Sequence, residues 1–188
     1  MNAFPKELTL DFNLVSEIIL NQKTYSNVKG AWTDYGDTYI LNNGESVFIP
    51  YHIYNIEISE SCFADLSPTQ KNICHCLYSR SCNGFVREKH IGALLSGRLS
   101  YWAFPYILKI SDEYVVEILD CVYNALNAAD TCELKRFCGL NLKGFNKSYS
   151  RMVSYWNAYY RRKYPDRKNY VGEKLFSECF GYSKGLFK

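Results

Sequence analysis

Beyond Ser59 the apolar residues stop alternating and begin to recur every three to four positions. This change of period most constrains what the chain can fold into. The clearest stretch is Val115, Ile118, Leu119, Val122, Ala125 and Leu126, which follows the helical i, i+3, i+4, i+7 rule without a gap. Glu117, Asp120 and Asn124 line the opposite side. The pattern predicts a helix over 112–128, capped by Ser111, with Asp112 and Glu113 at its positive end. This helix is expected to be the central buried element. Before Ser59 the period is two. "TYILNNGESVFIPYHIYNIEI" alternates and is rich in β-branched and aromatic residues within an extended region running from Ala31 to Ile58. It predicts an antiparallel hairpin near 36–58, its turn made by Asn42, Asn43 and Gly44. Pro50 places the second strand at an edge or at a fresh start.

A short helix over 11–22 precedes the hairpin, with Phe12, Val15, Ile18 and Ile19 on one face. Ser67 followed by Pro68 is a helix start, with Ser as cap and Pro in the first turn. That helix breaks at Asn83-Gly84, and others are expected at 85–96, 101–110, 146–163 and 170–181. The predicted class is α+β and mostly α, with stacked helical pairs behind a small N-terminal hairpin. No low-complexity linker interrupts the 188 residues, so one domain is expected, with an N-terminal portion at 1–58 and a helical portion at 59–188.

"CHCLYSRSC", residues 74–82, raises the question of a metal clamp. On a helix, Cys76 lies 200° around from Cys74 at about 100° per residue, so the two sulfurs do not converge. His75 then faces away from the buried stripe of Ile73 and Leu77, toward solvent. No second knuckle follows to complete a zinc site. The eight cysteines (Cys62, Cys74, Cys76, Cys82, Cys121, Cys132, Cys138 and Cys179) therefore read as free and mostly buried thiols. No histidine stands in a surround that marks a cysteine nucleophile, and glycine-rich phosphate loops are absent. Asp34 and Asp37 in "WTDYGD" suit a polar turn better than a metal pair. No cofactor, metal or catalytic residue is expected.

The N-terminal stretch lacks a basic lead, and its apolar run is broken by Asp11, Asn13 and Glu17, unlike a signal peptide. No run approaches the ~20 apolar residues that span a bilayer. A cytoplasmic protein with reduced thiols and no membrane association is expected. The net charge of +3 hides a polarity. Residues 1–70 carry 3 basic and 9 acidic side chains, while residues 135–188 carry 13 and 3. Such asymmetry implies a charged partner at one end, or docking of the two ends on each other. The 17 tyrosines suit either a core or an interface, because each pairs an apolar ring with a hydroxyl that seeks a polar contact.

"NGFVREKHIGALL", 83–95, resembles the second helix of HEAT-like repeats in Val86, Arg87 and Leu94, while His90 departs from the small residue favoured there. The resemblance covers at most residues 67–128 and implies a protein-binding scaffold without catalysis. In general character the chain also resembles immunity proteins of bacterial toxin systems, with no motif carried over. The leading expectation is a non-enzymatic antitoxin that neutralises a cognate toxin through an acidic face of Asp34, Asp37, Glu45, Glu57 and Glu60. The alternative is a nucleic-acid-binding module. "SRMVSYWNAYYRRKYPDRKNY" offers an aromatic stripe of Met152, Val153, Trp156, Tyr159 and Tyr160. Beside it stand Arg151, Arg161, Arg162, Lys163, Arg167 and Lys168, the pairing of cations and rings that holds single strands.

Overall fold

The computed structural model describes residues 2–25 and 32–183; the expected start of the extended region at Ala31 lies outside them. A 3₁₀ turn over Lys6–Leu8 leads into α1, Thr9–Leu20. Strands β1, Gly36–Ile40, and β2, Ser46–Pro50, form the one sheet found among the described residues. Then follow α2 (Glu60–Ala64), α3 (Pro68–Tyr78), α4 (Gly84–Leu95), α5 (Phe104–Ile110) and α6 (Val116–Asn127). After α7 (Cys132–Leu140), helix α8 (Leu142–Tyr155) widens into a π turn over Trp156–Tyr160. Helix α9 (Val171–Lys174) widens likewise over Leu175–Cys179. The class is α+β, mostly α.

The hairpin is antiparallel, with Tyr39 opposite Val47 and Asp37 opposite Ile49. Gly44 turns at φ 82°, a left-handed angle that a side chain would strain, as the Asn-Asn-Gly sequence requires. The paired strands end at Pro50, short of the expected residue 58. From there the chain makes only isolated bridges, Ile53 with Trp32 and with Ser81, and Asn55 with Thr24. Period two puts Tyr39, Val47 and Ile49 inward, and all three are buried.

Helix α3 starts at the expected cap. Ser67 Oγ accepts from Gln70 N at 3.2 Å, and Gln70 Oε1 accepts from Ser67 N at 3.0 Å, a reciprocal capping box. It packs on both α1 and α4, so it buries two faces and takes in Cys74 and Cys76 together. All eight cysteines are free thiols, four of them buried.

The expected helix over 112–128 begins later, at Val116. Ser111 ends α5 instead, its hydroxyl donating back to Ile107 O at 2.7 Å. Asp112 and Glu113 turn inward to cations, which satisfy them more fully than a helix dipole at the surface would. The central element is α5, buried along all seven residues and touching β2, α6, α7 and α8. Helix α6 is amphipathic, with Ile118, Leu119, Val122 and Leu126 buried. Helices α2 and α7 have no counterpart in the sequence reading.

Candidate functional site

Three charged clusters decide where each expected site residue lies. The first is interior. Lys109, fully buried on α5, sits 2.8 Å from Asp37 Oδ2 and 3.1 Å from Asp112 Oδ2. Asp37 shares β1's inward face with Tyr39, and Lys147 of α8 reaches its other oxygen at 2.5 Å. Burial raises the Asp37 pKa, but hydrogen bonds from Lys109 and Lys147 outweigh it and hold the carboxyl below its ordinary value. Asp112 also receives the Ser148 hydroxyl at 3.2 Å and faces Arg151 Nε at 3.5 Å. Burial dominates there and pushes its pKa up to about 6 against the pull of Lys109 and Arg80. Glu113 lies 3.7 Å from Arg80 and 3.4 Å from Arg87. Arg80 also donates to Tyr51 O at 2.8 Å, tying the end of the hairpin to the helices.

The second cluster lies on α3 and α4. Glu57 Oε1 is 2.7 Å from Lys89 Nζ and 2.8 Å from His90 Nε2. His90 Nδ1 lies 2.9 Å from His75 Nδ1. His75 is therefore not directed to solvent as its helical phase implied; its ring packs against Phe63 and His90 at centroid distances of 5.2 and 5.0 Å. The two histidines are fifteen residues apart and meet only because α3 and α4 pack side by side. No signal within either helix marks the pair.

The third cluster is an outer face of tyrosines and arginines. Tyr35, 62% exposed, packs at 5.5 Å on Tyr51 across the end of the hairpin, where Tyr51 N donates to Tyr35 O at 3.0 Å. The Arg151 guanidinium lies over Tyr51 at 4.6 Å, and its Nη2 donates to Tyr155 Oη at 3.1 Å. Tyr155 leads to Tyr114 and Tyr159, which are 50% and 65% exposed and 6.0 Å apart. Tyr160 fixes this end by donating its hydroxyl to Tyr114 O at 2.7 Å. Arg161 and Arg162 line an open groove beside Tyr159. The sequence marked Tyr159 through its helix, whereas Tyr35, Tyr51 and Tyr114 join from other elements.

The acidic residues do not assemble into one open face. Asp37 is neutralised inside, and Glu57 is held by Lys89 and His90. Glu45 accepts from the Lys6 backbone N–H at 2.8 Å and from Asn43 Nδ2 at 3.1 Å. Asp34 and Glu60 remain exposed. The basic set divides as well. Arg151 is built into the tyrosine face, and Arg167 pairs with Glu173 at 2.8 Å. Arg161, Arg162, Lys163 and Lys168 are exposed, with no carboxylate partner among the described residues.

Among the described residues no group of three or more His, Cys, Asp or Glu side chains is placed to hold a metal ion, and no helix is long and apolar enough to cross a membrane. Comparison with known protein families, curated proteins and solved structures found no match.

Proposed function

We propose that the chain is a non-enzymatic binding protein that captures another protein on the face formed by Tyr35, Tyr51, Arg151, Tyr155, Tyr114 and Tyr159. The observation that carries this reading is the ordering of these side chains before any partner arrives: Arg151 is stacked on Tyr51 and bonded to Tyr155. Tyr and Arg are the residues that most often dominate binding energy at protein interfaces, and rings already held in place lose little entropy on docking. The rings of Tyr114 and Tyr155 meet at 62°, edge against face rather than in a parallel stack. That mosaic suits a protein surface better than a stack of bases. The flanking Arg161 and Arg162 favour a partner that is acidic where it touches. In its most specific form the reading is an immunity protein whose partner is a toxin.

A second reading, single-stranded nucleic acid on residues 151–168, is favoured by the groove where Tyr159 stands beside Arg161 and Arg162. Capture from native cytosol followed by titration separates the two. Tyr155→Ala with Tyr159→Ala is expected to weaken a protein partner by about 2 kcal/mol or more. Glu60→Lys should leave binding within about threefold, because this carboxylate stands with Phe63 and His75 rather than with the tyrosine face. Unchanged protein affinity in the tyrosine variant sinks the leading reading. Oligonucleotide binding that falls steeply with salt and is lost in Arg161→Glu with Arg162→Glu establishes the second. For the toxin form, adding the chain at equal stoichiometry must abolish the captured protein's activity.

A further inference from the structure

Glu57, His90 and His75 line a cavity of about 230 Å³, partly open to solvent, together with Ile58, Phe63 and Tyr78. The protons here follow from the hydrogen-bond geometry and the surroundings of each group. Hydrogen bonds from Lys89 and His90 outweigh the effect of burial and keep the Glu57 carboxyl below its ordinary pKa, so it is an acceptor only. Burial lowers both histidines: His75 to about 4, with His90 and Lys89 adding to it, and His90 below its ordinary value despite the opposing pull of Glu57. Both rings are therefore neutral at neutral pH. His90 must donate Nε2–H to Glu57, which leaves its Nδ1 as a lone pair. That lone pair, 2.9 Å from His75 Nδ1, fixes the His75 proton on Nδ1. His75 Nε2 is left as an acceptor with no hydrogen bond among the described residues.

We propose that this cavity binds a small single-ring compound of the phenol class, its hydroxyl donating to His75 Nε2. The size fits, because an apolar cavity of about 150 Å³ already holds benzene, and the additional room accommodates one polar substituent. The lining fits as well, with Phe63 and Tyr78 offering rings and Ile58 an aliphatic wall. The polarity selects the donor. A carboxylate ligand would face a lone pair and the ionised Glu57, whose charge already balances that of the Lys89 ammonium. A ring without a donor would bury Nε2 unpaired, which costs about 1–3 kcal/mol.

The test uses the full chain and two fluorinated probes, 4-fluorophenol and 4-fluoroanisole, which share a ring but differ in the donor. Fluorine NMR titration is expected to give saturable binding of the phenol and at least about tenfold weaker binding of the anisole. His75→Gln should erase that preference. Ala64→Phe, which puts a ring at the cavity from α2 and leaves Glu57, His75 and His90 themselves unchanged, should abolish binding while leaving the urea midpoint unchanged. Absent binding to the folded chain, equal affinity for the two probes, or binding that survives Ala64→Phe overturns the proposal. So do imidazole nitrogen shifts that place the His75 proton on Nε2.

Discussion

A lysine that never meets water must be held by what surrounds it, and Lys109 shows how closely the interior is balanced. Its ammonium lies between Asp37 and Asp112 and over the Tyr51 ring at 4.6 Å. Lys109→Met keeps the volume and removes the buried cation that Asp37 and Asp112 share, leaving them only Lys147 and Arg151, so it should destabilise the fold by about 3–5 kcal/mol, read from urea denaturation. A loss under 1 kcal/mol would mean that water already reaches the pair. The histidines set a pH dependence whose sign follows from their lowered pKa values. An unfolded imidazole titrates near 6.5, so stability from a neutral folded His75 is complete above that value and drains away as pH falls toward about 4. Asp112 acts oppositely: its pKa of about 6 lies above the ordinary carboxylate value, so its share of stability declines as pH rises through that window. The difference between chains isolates the imidazole, which is faced by His90, Lys89 and, through His90, Glu57. The urea midpoint of His75→Gln should fall less between pH 7 and 5 than that of the natural sequence. Equal falls would refute the buried neutral assignment.

Elements whose beginnings are set locally were legible, and those set by distant partners were not. Ser67 and Gln70 lie within one turn, and their reciprocal bonds form wherever the chain is helical. Ser67→Ala is accordingly expected to cost about 1 kcal/mol, visible as a lowered thermal midpoint with an unchanged circular dichroism spectrum. The Asn-Asn-Gly turn was equally local. By contrast, Asp112 and Glu113 have the composition of a helix start but are claimed by Arg80 and Arg87 from some thirty positions away, as well as by Lys109. Helix α6 therefore opens at Val116. Asp37 read as a surface acid because nothing near it in sequence announces Lys109 or Lys147. Its alternation with Tyr39 was the one available sign that it faces inward. Gly144 is similar: a Cβ there would come within 2.8 Å of the Tyr39 ring, a contact between α8 and β1 that no local pattern encodes.

At the scale of the whole chain, the acidic and basic ends are joined rather than held apart. Lys147 reaches Asp37, and Asn141 bonds both the N–H and the carbonyl of Ile40, at 2.7 and 2.9 Å. One apolar cluster runs from Ala3 to Phe180 through every layer. Tyr106 of α5 stacks on Phe4 at 5.3 Å and donates to Ala3 O, so even the N-terminal turn is anchored to the central helix. A chain whose ends share one core should unfold in one step, since exposing either end strips apolar surface from the other. Trp156 is the useful reporter, because its indole N–H donates to Tyr164 O at 3.0 Å within the basic third. In a variant carrying Trp32→Phe and Trp102→Phe, its fluorescence should follow the far-ultraviolet circular dichroism at every urea concentration, with the same midpoint and slope. If Trp156 reports an earlier transition, the basic third is a separately folding arm. The arginines of the binding face would then be presented by a mobile segment, and Arg151 could not hold Tyr51 and Tyr155 in a fixed arrangement for a partner.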